Sequence, residues 1–258
     1  MYFIDSHTHL YGEAFDNDRD EAIKNALANN VKQFVLPAID STYTARMQAL
    51  KKKYPDQVHL MAGLHPTHVK PDTLEKEMAH VKKRLENENL CAVGEIGIDL
   101  YWDKSTLDIQ QQAFAKQIQW AKEYDLPIVI HCRDAFDEVF EVLETEKDEK
   151  LKGVFHCFTG TMDNAQKAVD HNLKLGIGGV VTFKNGKIDK FLHEIDLAHI
   201  VLETDAPYLA PAPFRGKRNE SAYIAIIAQK IADIYKVPLE EVMKKTTNNC
   251  KEVFALQP

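Results

Sequence analysis

Residues 127–158, PIVIHCRDAFDEVFEVLETEKDEKLKGVFHCF, contain an apolar run, a segment with helical periodicity and a second apolar run. The two apolar runs are short, which is typical of buried strands. The apolar residues between them recur at three- and four-residue spacing, the pattern of an amphipathic helix. A strand, a helix and a second strand in this order predict a parallel pair joined by a right-handed crossover.

The same alternation extends over the whole chain and gives eight candidate strands with helical segments between them. The candidates are residues 2–9, 33–39, 58–66, 91–99, 127–133, 153–158, 173–179 and 200–207. Eight such units predict an α/β fold, a closed (β/α)8 TIM barrel, in one domain spanning residues 1–258. Residues 239–256 predict an extra C-terminal helix. The alternative is an open doubly wound sheet, but no G-x-G-x-x-G follows the first strand.

Composition restricts the class of protein. A hydrophobic fraction of 45% suffices for a packed core and excludes a disordered or collagen-like chain. Without a long apolar run or a basic N-terminal flank, we expect no membrane segment and no cleaved leader. Four scattered cysteines without a C-x-x-C pair favour a reducing cytoplasm. The net charge of −7 argues against tight capture of duplex DNA, although a local basic rim can still hold a phosphate chain.

Ligand-type side chains follow several of the predicted strands. In DSHTH, residues 5–9, strand alternation predicts that His7 and His9 project to the same face. The other four are Glu95, His131, His156 and Asp205. A single buried His or Glu is usually a hydrogen-bonded core residue. Six of them at the barrel mouth, where active sites lie, instead predict a site for two divalent cations that Glu95 can bridge.

Strand alternation also assigns the neighbours of these residues. Cys132 and Cys157 each follow a ligand-type histidine, so we expect both to face the surrounding helices and not a metal. Glu203 shares the inward face of Asp205, one layer deeper. It can accept a hydrogen bond from a ligand histidine or pair with another polar core residue, and the sequence leaves both interpretations open.

Seven motifs occur in order over nearly the whole chain: DSHTHL, GLHP, VGEIGID, VIHCRDA, GVFHCFTG, LETDAPYLAP and RGKRNE. Through them the chain resembles the TatD-type metal-dependent deoxyribonucleases of the amidohydrolase-like barrels. The H-x-H pair alone is weakly specific, whereas E-x-G-x-D together with ETDAPYLAP and RGKRNE is typical of this family. Two stretches depart from its usual pattern: HPTH at residues 65–68, where H-P-H is frequent, and NES at residues 219–221, where N-E-P is frequent.

The resemblance implies a hydrolase that cleaves the phosphodiester bonds of DNA. It implies one metal ion held by His7, His9, Glu95 and Asp205, and a second held by Glu95, His131 and His156. Many related barrel hydrolases bridge their metals with a modified lysine, but here the position is Glu95. Because a carboxylate needs no carboxylation, metal loading is predicted to be independent of carbon dioxide.

Two metal ions can activate a water molecule, bind a phosphate oxygen and stabilise the leaving oxygen. Asp205 is predicted to orient or deprotonate that water, and Glu95 to act with it as the bridging catalytic carboxylate. The family association favours Mg²⁺, while the mixed ligand set also suits Mn²⁺ or Zn²⁺. Ligation requires neutral imidazoles, so activity is expected to fall below about pH 6.

Candidate substrate contacts surround the same strand ends. We predict that the following cationic or imidazole side chains bind substrate: His65, Arg133, Arg215, Lys217 and Arg218. The competing interpretations are a turn histidine, local ion pairs and a solvated loop. Four aromatic residues occur near these positions: Tyr101, Trp102, Tyr208 and Phe214. Their rings can stack on unpaired bases, which favours single-stranded or frayed ends over intact duplex. The alternative is that they only pack within their loops.

No helix-turn-helix or zinc-finger spacing occurs, so the expected partner is DNA without sequence specificity. We expect an exonuclease that acts as a cytoplasmic monomer. A second hypothesis is another metal-dependent hydrolase on this scaffold, acting on an amide or an ester such as D-aminoacyl-tRNA. A third is a non-catalytic binding protein with a degenerate barrel. The basic rim favours a polyanionic substrate, and the complete set of ligand positions argues against the third hypothesis.

Overall fold

The computed structural model of the chain, which describes residues 1–256, contains eight parallel strands that form a barrel. The strands are β1 Phe3–Asp5, β2 Val31–Leu36, β3 Val58–Ala62, β4 Ala92–Asp99, β5 Ile128–Arg133, β6 Gly153–Phe155, β7 Leu173–Ile177 and β8 Ile200–Leu202. Each strand pairs with the next one along the chain. Between the last strand and the first, Ser6 N donates to Leu202 O at 3.0 Å and Asp205 N donates to His7 O at 2.9 Å. The predicted (β/α)8 TIM barrel is confirmed.

Helices surround the barrel on its outer side. They are α1 Arg19–Ala28, α2 Thr44–Lys53, α3 Leu74–Asn87, α4 Leu107–Glu123, α5 Phe136–Thr145, α6 Met162–Asp170, α7 Ile224–Tyr235 and α8 Leu239–Phe254. The connection from β7 to β8 departs from the repeat, because it contains only short 3-10 turns between residues 179 and 199. Its first part, GGVVTFKNGK at residues 178–187, has glycines and an asparagine in place of a helical apolar stripe.

The barrel interior is apolar and is closed at one end by α8. One buried side chain from most strands enters this interior cluster: Ile4, Val35, Met61, Ala92, Val129, Val154 and Val201. From α8, Cys250, Val253 and Phe254 pack against them. Burying a side chain such as Phe254 stabilises the fold by about 1.5–3 kcal/mol. The predicted extra C-terminal helix therefore forms the floor of the barrel.

Several strands end earlier than the sequence predicts. β1 stops at Asp5, β6 at Phe155 and β8 at Leu202. Beyond two of these ends the backbone enters the left-handed region, with φ of 43° at Cys157 and 56° at Asp205. A strand cannot continue through that conformation. The ligand-type residues after these strands therefore lie on the first residues of loops and not within the sheet.

The prediction that Cys157 faces the helices was wrong for this reason. Strand alternation no longer applies after Phe155, and the sulfur of Cys157 lies within 4.8 Å of ligand-type atoms of His156 and Glu203. Burial raises the pKa of this thiol well above its usual value, so it stays protonated. Cys132, by contrast, contacts the apolar cluster between strands and helices, as predicted.

In the part of the chain that the structure describes, no helix combines the length and the apolar character needed to cross a bilayer.

Candidate metal centre

The two histidines after β1 meet two carboxylates at the carboxyl end of the barrel. His7 Nε2 lies 3.2 Å from Glu95 Oε2 and 3.8 Å from Asp205 Oδ1. His9 Nε2 lies 3.7 Å and 3.5 Å from the same two oxygens. Although β1 ends at Asp5, both rings turn toward one point, as the H-x-H spacing predicts.

The other oxygen of Glu95 faces a second group of histidines. Glu95 Oε1 lies 2.8 Å from His131 Nδ1 and 3.6 Å from His156 Nε2. A third ring joins them, since His65 Nε2 lies 3.3 Å from the same oxygen. The structure therefore brings the other five predicted ligand-type residues together at Glu95, with one histidine group on each of its oxygens.

His7 shows that this arrangement fits a metal ion. Its ring is completely buried, and neither ring nitrogen has a hydrogen-bond partner among residues 1–256. The ring stacks on His156, with 3.5 Å between centroids and 15° between planes. A buried polar group without a partner is costly, and a cation would satisfy its lone pair. Within residues 1–256, four groups of three residues have donor atoms that all lie within 4.8 Å of one another: His7, His9 and Glu95; His7, His156 and Asp205; His65, Glu95 and His131; and His156, Cys157 and Glu203.

The charges of the centre favour a cation. Burial raises the pKa of Glu95, but the rings of His65, His7 and His156 outweigh it and hold that pKa well below its usual value. Burial lowers the pKa of His156, but Glu203 and Glu95 outweigh burial and raise it to about 10. The carboxylates thus draw positive charge into this region, which is what a divalent cation also supplies.

A tyrosine fixes the tautomer of His9. Its Nδ1 lies 2.8 Å from the hydroxyl of Tyr11, and that hydroxyl donates to Pro37 O at 2.7 Å. Because the hydroxyl hydrogen is used on Pro37, the Tyr11 oxygen accepts from Nδ1–H of His9. Nε2 of His9 is left with a lone pair facing Glu95 and Asp205.

A carboxylate fixes the tautomer of His131 in the opposite sense. Asp99 Oδ2 lies 2.9 Å from His131 Nε2. The pKa of Asp99 is lowered because the hydrogen bond and the charge of His131 outweigh burial, so Asp99 is ionised and only accepts. Nε2 of His131 therefore carries a hydrogen. Nδ1 donates to ionised Glu95 in this structure, and it is the nitrogen whose proton a metal would replace.

Glu203 occupies the equivalent place behind His156. Its Oε1 lies 3.0 Å from His156 Nδ1, although the angle does not suit a hydrogen bond, and it accepts from Cys157 N at 2.7 Å. The structure therefore places Glu203 beside a ligand-type histidine but gives its hydrogen bond to the backbone N–H of Cys157.

Sequence analysis missed Tyr11 and Asp99, although both were visible in the pattern. Each follows a ligand-type residue by an even number of positions, Tyr11 after His9 and Asp99 after Glu95. Between Glu95 and Asp99, only glycine fits at position 97, since φ is 140° and a Cβ would lie 2.0 Å from the carbonyl oxygen of His131. The E-x-G-x-D motif thus places two carboxylates on either side of one histidine.

His65, predicted to bind substrate, lies among the candidate ligands. Its Nδ1 accepts from Thr67 N at 3.2 Å and lies 2.7 Å from the Thr67 hydroxyl. Burial lowers the pKa of His65 to about 4, so the ring is neutral. Since Nδ1 is an acceptor, Nε2 carries the hydrogen and points at Glu95 as a donor.

The predicted cations on the loop after β8 have different environments. Arg218 donates to both oxygens of Asp18 at 2.6 Å and to Glu220 at 2.9 Å, and lies over the ring of Phe15. The charge of Arg218 is thus paired with two carboxylates, and its contact with substrate stays a prediction. In RGKRNE, buried Asn219 likewise holds the loop by donating to two backbone carbonyl oxygens.

The remaining cations have no carboxylate partner within residues 1–256. Arg215 lies over the ring of Phe183, with 3.5 Å from the guanidinium carbon to the centroid, and Lys217 lies 5.9 Å from that of Phe214. Arg133, at the end of β5, lies 3.6 Å over the ring of Tyr101. These three side chains keep their charges available to an anion.

Comparison with known proteins agrees with this centre. Residues 4–255 match the model of the family described as TatD related DNase. The uncharacterized metal-dependent hydrolase YabD of Bacillus subtilis strain 168 is 40% identical over 254 residues, covering 98% of this chain and 99% of YabD. The uncharacterized metal-dependent hydrolase YcfH of Escherichia coli K12 is 33% identical over 258 residues, covering 98% of this chain and 96% of YcfH.

Among solved structures, the crystal structure of YjjV, a TatD homologue from Escherichia coli K12, superposes with a TM-score of 0.92. That protein is 29% identical, and the match covers 99% of this chain and 98% of YjjV. The fold, the chain-long sequence match and the cluster of ligand-type residues agree. The chain belongs to the TatD family and is a metal-dependent hydrolase.

Proposed function

We propose that this hydrolase cleaves the phosphodiester bonds of DNA, removing nucleotides from single-stranded or frayed ends without sequence specificity. The observation that carries the proposal is that three cations without a carboxylate partner within residues 1–256 lie at or after the ends of strands that lead into the carboxylate-rich centre. Arg133 ends β5, the strand of His131, and Arg215 and Lys217 lie on the loop after β8 that also carries Asp205. A chain of phosphates is the substrate class that such a rim attracts.

His7, His9, Glu95 and Asp205 would hold one divalent ion, and Glu95, His131 and His156 the other. When bound, such ions lower the pKa of water and neutralise charge on a phosphate. Mg²⁺ is the ion we propose first, with Mn²⁺ and Zn²⁺ as alternatives. Each of these ions would bind the ring nitrogens that Tyr11 and Asp99 direct toward Glu95, which are Nε2 of His9 and Nδ1 of His131.

Asp205 and His65 have the chemistry to act on the substrate. The side chain of Asp205 is 13% exposed, whereas that of Glu95 is 3% exposed, so Asp205 is the more accessible carboxylate. Burial raises the pKa of Asp205, but the nearby imidazoles, first of them His9 at 3.5 Å, outweigh it and lower that pKa. Asp205 therefore accepts a hydrogen bond or a proton from water. The Nε2–H of His65 points at Glu95 in this structure, and we propose that it turns to a phosphate oxygen when substrate binds.

The test uses metal-loaded protein with end-labelled single-stranded and duplex DNA of one sequence. We expect faster release of nucleotides from the single strand, and loss of that activity in His131→Ala. His80→Ala is the matched control, since this histidine lies on α3 and hydrogen-bonds Thr44. Equal cleavage by both variants would contradict the proposal. Hydrolysis of D-aminoacyl-tRNA without cleavage of DNA would favour the ester hydrolase instead.

A further inference from the structure

The exposed large hydrophobic side chains are concentrated at the mouth of the barrel. Within residues 1–256, apart from Met1, they all lie on the loops after β4 and β8: Tyr101, Trp102, Tyr208 and Leu209. Trp102 is 71% exposed, the most of these four. Exposed apolar surface that is confined to one region marks a binding site.

The loop that carries Trp102 is tied to the candidate metal centre. Asp99 Oδ1 accepts from Tyr101 N at 3.0 Å and from Trp102 N at 3.3 Å. The other oxygen of the same carboxylate accepts from His131 Nε2 at 2.9 Å. One side chain therefore sets the position of the aromatic loop relative to the nitrogen that faces Glu95.

A cation completes this surface. The guanidinium carbon of Arg133 lies 3.6 Å from the ring centroid of Tyr101 and 5.6 Å from that of Trp102. The two aromatic rings meet edge to face, with centroids 4.9 Å apart. We call Tyr101, Trp102 and Arg133 the aromatic platform. It combines an exposed ring face with a charge that no described carboxylate neutralises.

We propose that the aromatic platform binds an unpaired base of single-stranded nucleic acid, with the base stacked on Trp102 and Arg133 facing the adjacent phosphate. This inference rests on the proposed function and adds a subsite to it. A purely apolar partner would leave Arg133 unsatisfied, whereas a nucleotide offers both a ring to stack on and an anion. An aromatic ring can stack on any of the four bases, which agrees with cleavage that has no sequence specificity.

The chain offers a direct probe, because it has only two tryptophans. Trp120 lies on α4, is 8% exposed and packs near Lys82 and Lys116, outside the platform. In the Trp120→Phe variant, Trp102 is the only tryptophan fluorophore. This variant is loaded with metal and titrated with a short oligothymidylate whose phosphorothioate linkages slow cleavage. A matched oligomer carries the same linkages but no bases.

We expect saturable quenching of Trp102 by the oligothymidylate and none by the abasic oligomer. Trp102→Leu should weaken binding of the base-bearing oligomer about tenfold, while Trp102→Phe keeps most of the affinity; calorimetric titration measures both, since these variants lack the fluorophore. Arg133→Gln should weaken binding of both oligomers alike, since it acts on phosphate. Equal affinity for the two oligomers, or full affinity in Trp102→Leu, would overturn the proposal.

The outcomes separate this inference from the proposed function. If Trp102→Leu cleaves single-stranded DNA with an unchanged KM, the platform is wrong and the nuclease activity stands. If oligothymidylate quenches the fluorescence of Trp102 but the unaltered protein cleaves no DNA, the platform stands and the proposed function is wrong.

Discussion

Asp99 Oδ2 lies 2.9 Å from Nε2 of His131, on the side of the ring opposite to Glu95. The ionised carboxylate can only accept, so it keeps a hydrogen on Nε2 of His131 and turns Nδ1, the nitrogen that a metal would take, toward Glu95. Such carboxylate–histidine pairs orient the ring and strengthen its binding to a metal.

Replacing Asp99 with Asn should weaken metal binding about 10- to 100-fold. The single amide oxygen cannot accept from His131 and also from the two loop N–H groups that Asp99 Oδ1 now satisfies. Calorimetric titration of metal-free protein with Mn²⁺ measures this effect. An unchanged affinity, with an unchanged unfolding midpoint, would show that the carboxylate does not orient His131.

Removing the hydroxyl of Tyr11 should have a similar effect on His9. In Tyr11→Phe, Pro37 O and the Nδ1–H of His9 both lose their partner in a buried place. We expect about 1–3 kcal/mol lower stability to urea and weaker binding of metal. Tyr43→Phe is the control, because the hydroxyl of Tyr43 makes only a 3.4 Å contact with exposed Glu13. Equal effects of the two variants would contradict the role of Tyr11.

Arg218 should contribute to the stability of the fold, and Arg215 to the binding of DNA. Arg218→Ala breaks the bidentate pair with Asp18 and should lower the free energy of unfolding by about 1–2 kcal/mol. Arg215→Ala should leave stability unchanged and weaken binding of single-stranded DNA, with a smaller salt dependence. Urea unfolding and DNA titration at two salt concentrations distinguish them. Weaker DNA binding and unchanged stability in Arg218→Ala would contradict this assignment and would support a phosphate contact for Arg218.

His59 on β3 should make the protein less stable in mild acid. Burial lowers its pKa to about 4, below the value of 6.5 for a free imidazole. Between these values the unfolded chain binds a proton that the folded chain does not, so stability is lost as pH falls from about 6.5 toward 4. Relative to the parent, His59→Gln should gain about 2 kcal/mol between pH 7 and pH 4. A constant difference between the two proteins across this range would contradict the assignment.

The barrel and the six ligand-type residues could be predicted from sequence, because strand periodicity and strand ends are local patterns. The environment of Arg218 could not, since its partner Asp18 lies 200 positions away in the chain. The orientation of Cys157 was predicted wrongly because the strand ends two residues earlier. The role of His65 in the cluster depends on the distance to Glu95, which no spacing encodes.

The measurement that tests the central claim most directly is the number of Mn²⁺ ions bound per chain, taken together with the rate of DNA cleavage, in the unaltered protein and in Glu95→Gln. Glu95 is the residue that contacts both histidine groups. We predict two bound ions and metal-dependent cleavage in the unaltered protein, and loss of both in the variant. Full metal occupancy and full cleavage in Glu95→Gln would contradict a centre organised around this carboxylate.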